Sequence, residues 1–389
     1  MMEQKVQLAG RTKTSPRIKP INGTSMRVLL IEPYYTGSHK AWADGLISNS
    51  NLDIDLLSMP GQFWKWRMQG GAVTISRLYQ TLPYQPDVIL ATDMFDLSTF
   101  RALTLKQTHQ TPIALYFHEN QLTYPLNKRQ GHGWRYGFIN YVSAMAADIV
   151  YFNSAFHLER FFDELPRMLK HFGDFNELSS VEALREKAAV LPLGLDLRRL
   201  DAYQVPPQQE QSSPLILWNH RWEPDKNPQL FLEAIVQLAD ENFDFRVAIV
   251  GENVRQSAPE FDAAQARLGD RFVHFGYLED FSDYARLLWQ ADYIISAAYQ
   301  DFFGIAVAEA MYCGCIPILP NRLNYPHLVP QAWHQNCLYD GDRLVNLLRY
   351  HLTEKPEVDT IALKKHIAQY DWAMMAPQYD AELMALAGR

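Results

Sequence analysis

The chain has 389 residues, enough for two domains, and its 48% hydrophobic against 21% charged residues is the balance of a globular protein. The longest apolar stretch, 304–320, contains Glu309 and is too short and polar to span a bilayer. The net charge of −8 argues mildly against nucleic acid as a partner, yet residues 26–200 carry 17 basic and 17 acidic groups while 201–389 carry 14 and 26. A neutral first half with local basic clusters leaves that option open.

Residues 1–25 hold Lys5, Arg11, Lys13, Arg17 and Lys19 against Glu3. They show no periodicity and no apolar core of the kind an export signal needs, so they read as a flexible basic tail. Met26–Glu32 is a continuous apolar run, the pattern of a strand buried on both faces. Val88–Ala91, Ile113–Phe117, Ile149–Phe152 and Val190–Pro192 repeat it, with helical stretches such as Gly137–Ala147 between. Strands alternating with helices predict a parallel, doubly wound sheet. The Pro/Gln/Ser-rich segment from Tyr203 to Pro214 reads as a linker. The alternation then restarts at Leu215–Asn219, with a helix opened by Asn227-Pro228 and further strands at Arg246–Val250, Phe272–Phe275, Tyr293–Ser296 and Ile316–Leu319.

The expected organisation is therefore an N-terminal Rossmann-like domain over 26–202, a linker over 203–214, and a C-terminal Rossmann-like domain over 215–360. The two would face a central cleft. A last helix, within 361–389, would pack across both. Cys313, Cys315 and Cys337 are too few for a disulfide framework and lie in apolar surroundings, so buried thiols are expected rather than a metal site. With no export signal, the expected compartment is the cytoplasm.

Ligands of such sheets bind at the carboxyl ends of strands. The strand Leu215–Asn219 runs into His220-Arg221-Trp222-Glu223-Pro224-Asp225-Lys226, which puts two cations in one strand-to-helix loop. A diphosphate leaving group needs such a place, with helix-end amides beside it. The alternative is a surface loop whose cations pair with Glu223 and Asp225. The next motif favours the diphosphate: Tyr293–Ser296 leads to Asp301-Phe302-Phe303-Gly304-Ile305 and a helix carrying Glu309. Gly304 permits close approach, and the amides at the helix start can hold phosphate oxygens. One of Asp301 and Glu309 can lie over a sugar while the other reaches ribose hydroxyls. Gly251, ending one strand, and Tyr277 and Leu278, after the next, are weaker donor-side candidates, and Phe303 and Ile305 flank the glycine.

These residues resemble the retaining family-four glycosyltransferases, which have the GT-B fold. The strings EPYYTGSHKAWADGL (32–46), FHENQLTYP (117–125), NHRWEPDKNP (219–228) and FFGIAVAEAMYCGCIPILPNRLNYP (302–326) are more specific. They resemble the tRNA-queuosine α-mannosyltransferase family, over most of residues 26–330. The first acid of the pair is usually Glu in the family and is Asp301 here, one methylene shorter. The resemblance implies a GDP-mannose donor and queuosine at the wobble position of tRNA as acceptor, whereas spacing alone supports only a sugar nucleotide. It also implies transfer with retention and no required cofactor or metal, the arginine–lysine pair standing in for a divalent ion.

In the N-terminal half, Gly37 and Ser38 sit in a glycine loop before a helix, which the resemblance assigns to donor contacts. His118 follows the strand Ile113–Phe117 and should point into the cleft; in the resembled enzymes this histidine touches the transferred sugar. Two clusters mix cations with aromatics: Lys65, Trp66 and Arg67 in one, Lys128, Arg129 and Arg135 in the other. Such a mixture suits RNA, though buried tryptophans with solvated basic neighbours would look the same. The catalytic set expected is His118, Arg221, Lys226, Asp301 and Glu309. The rival readings are the same chemistry on a lipid, glycan or protein acceptor, an epimerase or phosphorylase on the same fold, and a non-catalytic RNA-binding protein.

Overall fold

A computed structural model describes residues 8–9, 26–124, 133–206, 213–252 and 259–388. The chain forms two compact units, 1–195 with 372–389, and 196–371.

The first unit contains β1 (Leu8–Ala9), β2 (Arg27–Tyr35), α1 (Gly37–Asn49), β3 (Asp53–Pro60), α2 (Trp64–Tyr79), β4 (Val88–Thr92) and α3 (Leu97–Thr108). It continues with β5 (Ile113–Phe117), α4 (Gly133–Ala146), β6 (Ile149–Phe152), α5 (Ala155–Leu169), α6 (Ser180–Glu186) and β7 (Ala188–Val190). The sheet order is β1-β3-β2-β4-β5-β6-β7, parallel throughout except for β1. The apolar runs form the central strands because helices cover both faces, and β4 and β5 are buried at every residue. Within the segment expected to be a mobile tail, Leu8–Ala9 pair antiparallel with Leu56 and Leu57 of β3.

The second unit contains β8 (Leu215–Asn219), α7 (Pro228–Asp240), β9 (Arg246–Val250), α8 (Pro259–Leu268), β10 (Phe272–Gly276), α9 (Phe281–Gln290), β11 (Tyr293–Ile295) and α10 (Ile305–Tyr312). Then come β12 (Ile316–Pro320), the short α11 (Tyr325–Leu328) and α12 (His334–Cys337), β13 (Leu338–Tyr339), α13 (Leu344–Glu354) and α14 (Thr360–Ile367). All six strands are parallel, in the order β10-β9-β8-β11-β12-β13. The strand order reverses between β8 and β11, and the loops leaving those two strands at their carboxyl ends flank the crevice where such sheets bind ligands.

The single last helix expected within 361–389 is two helices. α14 ends at Ile367, a 3-10 turn covers Ala368–Tyr370, and α15 (Trp372–Leu386) belongs to the first unit. Trp372 fits between two glycines of that unit: a Cβ on Gly45 would stand 2.0 Å from its indole, and one on Gly194 2.3 Å. Farther along α15, Trp42 Nε1 donates to Tyr379 Oη at 3.1 Å, and Asp380 accepts from Ser50 Oγ at 2.5 Å and from Asn51 N at 2.8 Å. The N-terminal boundary also moves, because residues 196–202 belong to the second unit rather than the first.

Candidate active site

In the second unit three strand ends are tied together. Gly251, at φ +153°, lies so close to the β8 loop that a Cβ there would stand 1.9 Å from the carbonyl oxygen of His220. Trp222 N donates to Glu252 O at 3.0 Å, and Gly251 N to Gly276 O at 3.3 Å. The Trp222 ring stacks on Phe261 with centroids 4.1 Å apart, so one side chain of the loop anchors it to the core while its neighbour Arg221 is exposed. The Arg221 side chain is 54% exposed, with its guanidinium 3.0 Å from Glu223 Oε2.

Lys226 joins the two loops that flank the strand-order reversal. Its Nζ donates to Gln300 O at 2.8 Å and lies 3.3 Å from Asp225 Oδ2 and 3.9 Å from Asp301 Oδ2. The backbone repeats the link, since Tyr299 N donates to Asp225 O at 2.7 Å. Asp301 Oδ2 accepts from Tyr325 Oη at 3.2 Å, and that hydroxyl is also 2.8 Å from Ser296 Oγ. Beside Lys226, His220 is buried; burial and the nearby lysine charge push its imidazole down to about 4, so it is neutral at physiological pH.

Gly304 is the N-cap of α10 with φ +98°, and a Cβ there would lie 2.9 Å from Leu328 Cδ1. The amides that open α10 precede its first i→i−4 bond, from Ala308 N to Gly304 O, and so lack intrahelical acceptors. Phe303, a donor-side candidate, is buried with its ring edge-on to Tyr370 at 5.1 Å. Its side chain is a packing group, which leaves only its backbone for a ligand. Ile305 begins α10 and is half-buried, Tyr277 is exposed beyond β10, and Leu278 is half-buried.

Glu309 is held from behind. Tyr284 Oη donates to Glu309 Oε2 at 2.6 Å and accepts from Asn219 Nδ2 at 2.8 Å, so α9 and the end of β8 together fix this carboxylate. Burial raises its pKa. Neither tyrosine partner, Tyr284 nor Tyr325, was singled out from the sequence, because no local spacing marks a residue that acts through a carboxylate far along the chain.

In the first unit His118 stands just beyond β5 with its backbone clamped on both sides: its N–H donates to Asp93 Oδ1 at 2.9 Å and its carbonyl accepts from Asn153 Nδ2 at 2.8 Å. Three rings enclose the imidazole, with centroids at 4.3 Å for His39, 4.6 Å for Trp42 and 4.9 Å for Tyr116. Its Nε2 is buried without a hydrogen-bond partner among the described residues. His39 Nδ1 is 3.2 Å from Oε2 of Glu32, which is fully buried within β2. Burial works against a charge on His39, but Glu32, Asp93 and Glu119 outweigh it and raise the imidazole to about 9. Burial, and then the charged His39, hold His118 well below the ordinary range. Asp93, also buried, is raised to about 8 by desolvation.

Glu32, His39 and His118 bring one possible ligand atom each within 4.8 Å of one another. Glu32 and His39 are already joined by a hydrogen bond in this arrangement, so a metal bound there would have to displace the His39 proton. The three cysteines are buried free thiols, and burial raises each pKa. Gly37, at φ +50°, opens α1 with nothing near its missing Cβ, and both it and Ser38 are exposed.

The first basic–aromatic cluster needs a correction. Residues 64–67 start α2, and Arg67 faces inward, 3% exposed, with Nε and Nη2 donating to Pro60 O at 3.2 and 3.0 Å. It holds β3 to α2 and is not available to RNA. Lys65 and Trp66 are on the outside. In the second cluster Arg135 is exposed on α4, and Lys128 and Arg129 fall outside the described residues.

Comparison with known proteins assigns the chain. Residues 27–195 match the family described as tRNA-queuosine alpha-mannosyltransferase N-terminal, and residues 202–362 match Glycosyl transferases group 1. A Drosophila melanogaster protein named tRNA-queuosine alpha-mannosyltransferase is 34% identical over 338 residues, covering 85% of this chain and 88% of its own length. This chain belongs to the tRNA-queuosine α-mannosyltransferase family. It is a glycosyltransferase. A Xanthomonas campestris GDP-mannose:cellobiosyl-diphosphopolyprenol alpha-mannosyltransferase is 24% identical over 181 residues, 44% of this chain and 47% of that one. Among solved structures, Anabaena Alr3699/HepE in complex with UDP superposes with a TM-score of 0.66 at 15% identity, over 92% of this chain and 100% of that one. A UDP-forming trehalose-phosphate synthase from Burkholderia xenovorans also gives 0.66, at 10% identity, over 93% and 99%. These two likenesses show the GT-B fold. No helix among the described residues is long and apolar enough to cross a membrane.

Proposed function

We propose that this chain transfers mannose from GDP-mannose to queuosine at the wobble position of tRNA, with retention at the anomeric carbon. The observation that carries the reading is the 34% identity, over most of both chains, to a protein of that name. The site chemistry supports it. Lys226 bridges the two loops at the strand-order reversal, Arg221 stands exposed beside it, and the opening amides of α10 lie in the same unit. Together they can stabilise the charge that grows on a departing diphosphate, which is the largest catalytic contribution such a site offers. We assign Asp301 to the hexose, Glu309 to the ribose hydroxyls, and His118 to contact with the transferred sugar. Gly37, Ser38, Gly251, Tyr277, Leu278 and Ile305 are assigned to donor contacts.

No enzyme nucleophile is placed for a covalent intermediate. In the front-face route of this class, the bond from the anomeric carbon to the diphosphate oxygen breaks as the acceptor oxygen bonds on the same face. The acceptor proton passes to the departing phosphate. The cations do the work of a divalent ion, and no cofactor is required. An enzyme acting on tRNA works in the cytoplasm, the compartment expected from the sequence.

The test is incubation with GDP-mannose or UDP-sugars and tRNA with or without queuosine, followed by nucleoside mass spectrometry. A hexose on queuosine alone, from GDP-mannose alone, is the expected product. Transfer to another acceptor, or no tRNA product with any donor, sinks the proposal.

A further inference from the structure

One cavity is lined by none of the residues assigned to the donor. It has a volume of about 810 Å³, within the range of small-molecule sites, and is lined wholly by the first unit. Trp134 and Phe138 on α4 and Phe172 beyond α5 form its aromatic wall, each about two-fifths exposed. The rings brace one another: Phe138 and Phe172 meet edge to face at 6.0 Å, and Trp134 lies flat over His171 at 5.8 Å. Soluble surfaces seldom gather large exposed rings around one concavity without a ligand for them.

The polar lining narrows the ligand class. Asp174 and Glu177 line the cavity, and neither carboxylate has a hydrogen bond or ion pair among the described residues. Arg135, exposed, lines the same cavity. The loop that carries the acids is held in an unusual shape, with Phe175 at φ +44° and Glu177 at φ +55°, conformations that non-glycine residues adopt only when the surroundings impose them. Flat rings to stack on, carboxylates to accept N–H groups and one guanidinium to meet a phosphate form the recognition set for an unstacked base of single-stranded RNA. An aliphatic lipid chain would leave both carboxylates unanswered.

We propose that this pocket binds an unstacked nucleobase of the RNA acceptor, stacked on Trp134 and Phe172 with its amino edge on Asp174 and Glu177. The proposal rests on the reading of tRNA as acceptor and goes beyond it in naming where a base is held. The whole pocket lies within residues 27–195, the part that matches the queuosine-specific family rather than the general glycosyltransferase one. Base contacts here would give RNA selectivity that a donor site shared with other glycosyltransferases does not supply.

The experiment measures binding of the full chain to a fluorescein-labelled tRNA and to its isolated anticodon arm, by anisotropy. Trp134→Ala, Phe172→Ala and the double Asp174→Asn, Glu177→Gln variant are compared with wild type, with melting temperature and GDP-mannose hydrolysis as controls. Each ring removal is expected to weaken RNA binding by about fivefold to a hundredfold. Melting and donor hydrolysis stay unchanged. The acid variant is expected to lose discrimination between arms that differ at one base. Wild-type binding with all variants equal to it overturns the pocket and leaves the proposed function standing. If the wild type binds neither RNA, both readings fall.

Discussion

The imidazoles of His39 and His118 lie 4.3 Å apart, centroid to centroid, and they are held in opposite protonation states. His39 is charged through its bond to the buried Glu32, and Asp93, Glu119 and the Glu32 carboxylate all face it. His118 is neutral because it is buried and because its neighbour is a cation, with His157 adding to that effect. A neutral imidazole can accept or donate at Nε2, the atom without a partner among the described residues, and so can bond a sugar hydroxyl.

The first prediction concerns pH and rate. Protonation of His118 is deferred far below the ordinary imidazole value near 6.5, so the wild-type kcat/KM should not fall at mildly acidic pH on its account. His39→Gln removes the neighbouring cation, and the acid limb should move to higher pH, burial still holding it below the ordinary value. A pH–rate profile checks this. A loss of equal size at every pH would mean that His39 acts only by packing.

A second follows from linkage. The folded-state value of His39, about 9, is above its unfolded value of 6.5, so the stability it contributes is complete below 6.5 and is lost as pH rises through 9. Roughly 1–3 kcal/mol should disappear over that window in wild type. Denaturant unfolding at pH 6, 7.5 and 9 measures it, and Glu32→Gln should flatten most of the dependence.

Arg221→Ala should separate chemistry from folding. The side chain is mostly exposed, so stability should change by no more than about 0.5 kcal/mol. Transfer should fall roughly a hundredfold to a thousandfold if the guanidinium stabilises the departing diphosphate. Single-turnover kinetics beside a thermal melt gives both numbers, and near-normal turnover removes Arg221 from the site.

Tyr284→Phe tests the support behind Glu309. The hydroxyl links Asn219 Nδ2 to Glu309 Oε2, and its loss leaves two partly buried polar groups short of a partner, at a cost of about 1–3 kcal/mol. If Glu309 binds the ribose, KM for the donor should rise more than kcat falls. An unchanged KM would break the link between this tyrosine and donor binding.

Gly251→Ala should damage the same unit through the backbone. At φ +153°, with His220 O only 1.9 Å from the added methyl, the β8 loop must move. Stability should drop by about 2 kcal/mol or more, and affinity for GDP-mannose, read by calorimetry, should drop with it.

The parallel strands were readable from sequence because strands buried on both faces are written as unbroken apolar runs, as in Met26–Glu32 and Leu215–Asn219. Asp53–Pro60 escaped because its start alternates Asp53, Ile54, Asp55, Leu56, the pattern of a strand nearer an edge, with Asp53 and Asp55 only half-buried. Arg67 was misread because a basic–aromatic run looks uniform in one dimension. Wound into α2, it puts Lys65 and Trp66 outside and Arg67 inside. The cap at Asn227 also differs: the residue precedes α7 as expected but takes a left-handed backbone at φ +49° and makes no side-chain cap bond. His39 and Glu32 were invisible as a pair, since they lie seven residues apart, one within a strand and the other in the first turn of the next helix, and only the βα fold brings them to 3.2 Å.

The return of α15 to the first unit has a consequence for how the protein is made. Trp372, Tyr379 and Asp380 complete a core whose other members, Trp42, Ser50 and Tyr116, are translated more than 250 residues earlier. On the ribosome the first unit waits, its Trp42 and Tyr116 rings uncovered, until the whole of the second unit has emerged. A premature stop just after residue 371 would spare every candidate donor-binding residue of the second unit and still leave the first unfinished.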